Sequence, residues 1–213
     1  PPLFGHQYSH LWVDFRQIRD RYMRAHDLDY FENSRRATYA QQAYAIANPD
    51  GWSDYGANVW GLTACDGPGD MTLTIHEKPR ELHGYAARGM ASYDDGTLAP
   101  TAMVSSLPFA PEIVLPGIRE LRRRYGAPIY REYGFVDAFN PSFPQTAHAA
   151  LGTVVPGVGW VDVDYLGIDQ GPILGMIENH RSGLIWKVMR KSAYLRRALA
   201  RAGFTGGWLE AKG

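Results

Sequence analysis

The sequence predicts an all-α fold, a succession of helices joined by long loops rich in Trp, Tyr, Asp and Gly. Two observations carry that prediction. Apolar residues recur at helical spacing in several segments that end at proline or glycine, and strand-like alternation is confined to Val154 to Val163. A third observation locates function: the run from Gly51 to Pro100 is irregular and far longer than an ordinary connection, and such loops carry binding and catalytic residues.

At the start, Leu11, Phe15, Ile18 and Tyr22 follow helical spacing with arginines on the other face, which predicts a helix over the second half of FGHQYSHLWVDFRQIRDRYM. Asp29 and Glu32 have the spacing of a capping box, and Ala37, Ala40, Tyr44 and Ala47 trace one stripe behind them. That helix stops at Asn48-Pro49-Asp50-Gly51. A short helix over Thr101 to Leu107 precedes a longer one over Pro111 to Tyr125, with Val114, Ile118, Leu121 and Tyr125 buried, Pro111 in the first turn and Gly126 after the end. Pro116 inside it predicts a kink or a split. Arg122 to Arg124 read as a solvated last turn. Tyr133 to Pro144 is a second aromatic loop, and the chain closes with helical segments over Trp186 to Arg190 and Tyr194 to Ala202, the last ended by Gly203.

Composition excludes several classes. Lysine plus arginine and aspartate plus glutamate stand at 22 each, so no overall field favours nucleic acid or an anionic membrane. One cysteine, Cys65, allows neither an intrachain disulfide nor a Cys-rich zinc site. No run of ~18 apolar residues could span a membrane. Pro1-Pro2-Leu3-Phe4 has neither an initiator methionine nor the order of a signal peptide, which reads as a processed product or fragment. Nucleotide-binding glycine motifs and the G-x-S-x-G elbow are absent, and no cofactor is predicted. His6 and His10 are four apart without the glutamate of an H-E-x-x-H site, so they read as hydrogen-bonding histidines and no metal is predicted.

The best functional address is Trp160 to Arg190. Asp169 stands where an N-cap belongs, before Ile173, Ile177 and Leu184, and Gly183 interrupts or ends the helix. With Pro172 three residues on, an N–H that a cap would bind is missing, which leaves carboxylate acceptor capacity. A helix N-terminus favours the ionised form, as a base requires; a plain structural cap is the competing reading. Loop carboxylates among tryptophan and tyrosine fit glycoside hydrolysis, which needs an acid, a base and faces for sugar rings. Glu178 lies ~13 Å further along the same helix and on its opposite side, so it does not pair with Asp169.

Ordered segments carry a resemblance nearly end to end: FGHQYSHLWVDFR, YFENSRRATYAQQAYAIANP, YGANVWGLTACDGP, DDGTLAPTA, SSLPFAPEIVLP, YGFVDAFNP, YLGIDQGPILGMIENHRSGL and AGFTGGWL. Together they resemble the bacterial glucoamylase-like domain related to endo-β-1,2-glucanases and to the cyclising region of cyclic β-1,2-glucan synthases. The resemblance implies an (α/α)6 toroid of paired helices with a glucan-binding groove, inverting hydrolysis or transglycosylation, and a periplasmic or extracellular setting. Family members are longer, and residues 1–213 resemble their C-terminal half; about seven helical segments are too few for a full toroid. The upstream glutamic acid that protonates the glycosidic oxygen then has no position here, and the partners expected are a glucan and the N-terminal half or a second chain. Without that acid, a non-catalytic glycan-binding half-domain is the alternative. Carried over by motif, Asp169 in YLGIDQGP is the candidate base or water-positioning residue. The candidate substrate contacts are Tyr55, Asn58, Trp60, Asp66, Asp95, Asp137, Phe139, Asn140 and Gln170.

Overall fold

A 3-10 turn (Leu3–His6) leads into α1 (Tyr8–Trp12), and α2 (Arg21–Ala25) follows only after an extended stretch in the computed structural model, which describes residues 2–90 and 92–210. Pro1, on which the reading of the chain start partly rests, lies outside the described residues. The single helix predicted from Leu11 to Tyr22 is broken by Asp14. Its carboxylate takes the backbone N–H and the guanidinium of Arg16 and pairs with Arg190, and Gln17 then adopts a φ of 64°. A short acidic side chain competing for local N–H groups is a physical reason for a helix to stop despite its apolar spacing.

α3 (Tyr30–Ala47) has Asp29 as its N-cap, accepting from Glu32 N at 2.8 Å, and ends on Asn48 in the left-handed conformation. Its buried face is not the predicted alanine stripe. Ser34, Thr38, Gln41 and Ala45 face inward, while Ala40 and Ala47 are exposed. Each inward polar group is satisfied: Thr38 donates to the carbonyl of Ser34, and Gln41 exchanges two hydrogen bonds with the backbone of Leu62. A polar stripe can be buried when its partners are built in.

The run from Gly51 to Pro100 holds four strands, β1 (Ala64–Asp66), β2 (Met71–Ile75), β3 (Lys78–Leu82) and β4 (Tyr85–Ala87). β1 pairs with β4 and β2 with β3, all antiparallel. MTLTI does alternate, and the two-residue turn His76-Glu77, both at positive φ, lacks the Asn or Gly that announces a hairpin. α4 (Pro100–Val104) is buried at all five residues and packs on both α5 (Pro111–Arg124) and the later α6 (Gly167–Arg181). Pro116 does not split α5, which buries Val114, Leu121 and the capping Tyr125.

Beyond α5 come β5 (Tyr130–Arg131), β6 (Gly134–Phe135), β7 (Phe139–Asn140), β8 (Thr153–Val155) and β9 (Gly159–Val161), the last three forming a sheet in the order β7-β9-β8. The alternation at Val154 to Val163 therefore does mark strands. α6 ends before Gly183, at a φ of 66°, and α7 (Leu184–Arg190) and α8 (Ala193–Arg201) follow. The chain is mostly helical, with four small antiparallel sheets among the described residues added to the all-α expectation. Side chain to backbone bonds tie the last helices to the first: Asn179 to Leu11 O, Trp186 to His10 O and Trp208 to Asp14 O, at 2.7–2.9 Å. No helix among the described residues is long and apolar enough to cross a membrane.

Candidate functional site

Asp169 is the third residue of α6 and not its N-cap; Leu166 holds that position without a side-chain bond. The N–H groups of Asp169 and Gln170 both donate to Leu166 O at 3.0 Å, so the helix is already under way before Pro172. The missing N–H of Pro172 therefore plays no part at Asp169, yet the carboxylate is short of donors for another reason. Asp169 is 2% exposed, and its Oδ2 has no N–H or hydroxyl donor among the described residues.

What it does meet is Asp137, 1% exposed, on the turn from β6 to β7. Asp137 accepts from the backbone N–H of Asp66 through Oδ2 at 2.8 Å, while its Oδ1 has no other donor. The two carboxyl groups lie close enough for each to shift the other's titration, and two carboxyls can hydrogen-bond to each other only when one of them carries a proton. Burial raises both. Asp137 is lifted to about 8, with the charge of Asp169 adding to the burial and the Asp66 N–H opposing it. Asp169 is lifted to about 6 by burial and by the charges of Asp66 and Asp162, against the hydrogen bond from Asp137. At neutral pH the buried pair therefore holds about one proton between its two carboxyl groups. A helix N-terminus is worth ~0.3–1 kcal/mol to a nearby anion, too little to hold Asp169 in the ordinary range once it is buried.

Three further aspartates surround the pair. Asp162 is 3% exposed and raised to about 6, burial first. Asp66 is half-buried and also raised, by burial and then by Asp164, which is itself exposed. Backbone pairing assembles them: Asp162 N donates to Ala138 O at 3.0 Å and Asp137 N to Asp164 O at 3.1 Å, continuing the β7–β9 ladder. Gly159 permits that ladder, since a Cβ there would lie 2.2 Å from Asn140 O and its φ is +104°. On the other side β1 is fixed by Arg88, which is fully buried. Its guanidinium forks onto Asp95 at 2.7 and 2.8 Å and also reaches the carbonyls of Cys65 and His83.

Aromatic rings stand beside the acids. Tyr85 is cross-strand from Asp66 and 66% exposed; Tyr133, equally exposed, rests edge-on against Tyr165 at 5.6 Å. The Tyr8 hydroxyl is raised by burial and then by Asp169, Tyr85 and Asp137, which places it against the same cluster. Sequence reasoning singled out neither Tyr8 nor Tyr85, which no spacing rule marks, and reached Tyr133 only as the first residue of the second aromatic loop.

The predicted site residues divide. Asp66, Asp137 and Asp169 come together, and Gln170 lies beside them, donating to Phe135 O at 2.7 Å. Asn58 is exposed on the Gly56–Val59 turn, against α5 at Gly117. Trp60, Phe139 and Asn140 are core residues at 0–1% exposure, and Asn140 bonds Asp95 O and Thr97 Oγ1. Tyr55 is buried with its hydroxyl on Asp94 at 2.8 Å, and Asp95 is consumed by Arg88, His83 N and Thr97 N. These five hold up the walls and offer no side-chain surface for a ligand. His6 and His10 share the Ser34 hydroxyl at 3.3 and 3.1 Å, and burial takes His10 down to about 3. Among the glutamates, Glu112 and Glu178 are engaged with arginines, Glu77 tips the β2–β3 turn, and Glu132 is exposed beside Tyr133.

A family model described as "Putative glucoamylase" matches residues 1–193. An exo β-1,2-glucooligosaccharide sophorohydrolase (non-reducing end) of Parabacteroides distasonis is 33% identical over 187 residues, covering 88% of this chain and 21% of the relative. The crystal structure of a putative glucoamylase from Bacteroides uniformis superposes with a TM-score of 0.78 at 38% identity, over 98% of this chain and 42% of that one. The endo-β-1,2-glucanase from Chitinophaga pinensis, solved as a sophorotriose and glucose complex, gives 0.75 at 31% identity, over 98% and 42%. The chain thus spans less than half of each of these relatives.

Proposed function

The chain belongs to this glucoamylase-like family, and on that premise we propose that it forms the C-terminal half of an (α/α)6 glycoside hydrolase domain that cleaves a β-glucan, most specifically a β-1,2-linked one. The observation that carries the reading is the buried, mutually interacting pair of Asp137 and Asp169 beside exposed tyrosines. Asp169, ionised at neutral pH, takes a proton from the water that attacks the anomeric carbon, and the product forms with inversion. Asp137 keeps its proton, donates it in a hydrogen bond to Asp169 and so fixes the orientation of the base. It cannot be the acid partner of an inverting pair, because those carboxyls stand ~6.5–9.5 Å apart with the water between them. The proton for the leaving oxygen comes from a glutamic acid outside these 213 residues. Tyr85 and Tyr133 offer ring faces with hydroxyl rims to the sugar.

The test is release of reducing ends from linear β-1,2-, β-1,3- and α-1,4-glucans by the complete domain, with mass spectrometry to reveal cyclic or elongated products of transglycosylation. Activity confined to α-1,4-glucan would overturn the substrate assignment. The isolated chain is expected to bind β-1,2-glucan without turning it over; robust turnover by it would move the acid to Glu132, which shares the β5–β6 turn with Tyr133.

A further inference from the structure

Asp66 at the end of β1 and Asp162 and Asp164 just beyond β9 each bring one carboxylate oxygen to within 4.8 Å of the others. Three acids alone make no site, but one of them carries an independent mark. Asp162 is 3% exposed; its Oδ1 is taken by the N–H groups of Val163 and Asp164, while Oδ2 has no partner. A buried acceptor left unpaired is costly, and evolved structures rarely leave one without a ligand, water or ion to meet it. No side-chain cation among the described residues bonds that oxygen. Arg88, the arginine whose field reaches Asp66, is committed to Asp95 and to the carbonyls of Cys65 and His83. Asp164 is exposed, so the group opens to solvent.

We propose that Asp66, Asp162 and Asp164 bind a divalent metal ion, calcium, beside the Asp137–Asp169 pair. The ligand set is all carboxylate, with no imidazole or thiolate, which selects a hard cation over zinc or copper. Between the hard cations, three carboxylates on two separate backbone segments suit calcium, which accepts six to eight oxygens in irregular, mono- or bidentate arrangements. Magnesium demands a tight octahedron and keeps most of its water, using one or two carboxylates. A doubly charged ion at this place would also offset the mutual repulsion of five neighbouring carboxyl groups. It would leave open positions toward the solvent side, where Asp164 lies.

The experiment uses the full chain, stripped with chelator and titrated with CaCl2 by calorimetry, with thermal unfolding followed in parallel. One ion is expected to bind per chain, with a Kd of roughly 10⁻³ M or tighter and a rise in Tm. Asp164→Asn, an exposed substitution with little reason to disturb folding, should weaken binding roughly tenfold or more, since affinity follows the charge count of the ligands. Asp162→Asn should do the same, and circular dichroism verifies its fold. Absence of heat and of a Tm shift at millimolar calcium would overturn the proposal. So would equal affinity in Asp164→Asn, or magnesium binding tighter than calcium. The readout is ion binding and not turnover, so it is decided separately from the glucan assignment.

Discussion

Replacing Asp137 by asparagine should leave stability nearly unchanged below about pH 4, where Asp137 is protonated in both states, and make the variant progressively more stable than the native protein as pH rises toward 8. In the unfolded chain both aspartates titrate at the ordinary value of 3.8, so above pH 6 neither holds a proton there. In the folded protein the pair releases its protons around 6 and 8, so between those values it retains about one. The folded state then binds more protons than the unfolded state, and stability falls as pH rises, by ~1.4 kcal/mol per pH unit for each extra proton held. From pH 6 to pH 8 the native protein should lose ~2–3 kcal/mol from this source. In Asp137→Asn the amide would keep both hydrogen bonds, accepting from Asp66 N–H and donating to Asp169, but it never ionises. Urea unfolding of both proteins at several pH values, with chelator present, isolates the effect because every histidine is common to the two. Parallel stability profiles, or a native protein that gains on the variant as pH rises, would refute the shared proton.

Asp169→Asn in the complete domain should lower turnover by ~10²–10⁴ with glucan binding retained; near-normal turnover in a folded variant, by activity and calorimetry together, would remove Asp169 from the chemistry. Arg88→Met should cost ~3–5 kcal/mol in urea unfolding, because it leaves Asp95 as an unpaired buried charge, and Asp95→Asn should likewise appear as lost stability and not as lost affinity in a folded protein. Gly159→Ala should lower Tm severely or prevent folding, since both the strained φ and the approach to Asn140 O involve backbone that cannot step aside; a normal melting curve would contradict the β7–β9 geometry.

What can be read in the sequence is what local chemistry dictates. The capping box at Asp29 and Glu32, the proline start and glycine end of α5, and the glycine after α8 are rules about neighbouring residues, and each stands where the sequence expects it. Burial is harder, because α3 turns Ser34, Thr38 and Gln41 inward, a choice decided by the Leu62 backbone and by His6 and His10, all of them outside the helix. The N-cap of α6 is Leu166 and not the expected Asp169, since a favoured capping residue is a prior and the chain turns helical earlier without one. Of the site, the motifs deliver Asp66, Asp137 and Asp169 but not their relation. A shared proton depends on two side chains meeting from separate elements, and no spacing along the chain encodes it.

The buried residues that the sequence suggests as ligand contacts acquire a clearer purpose beside the acids. A cluster of five carboxyls repels itself and would spread apart on mobile loops. Here the backbone that carries it is pinned from both flanks by groups with no freedom left. Arg88 and Asp95, at 0% and 1% side-chain exposure, lock β1 to the loop before α4, and Asn140 ties that same loop to β7 through Asp95 O and Thr97 Oγ1. Gly159 lets β9 close on β7, so that Asp162 and Asp164 cannot retreat from Asp137. A buried ion pair contributes little net stability compared with an apolar replacement, but removing one partner is expensive. Its worth at this place is geometric: it keeps Asp66 against Asp137, and Asp137 in turn stands against the buried Asp169, the proposed base.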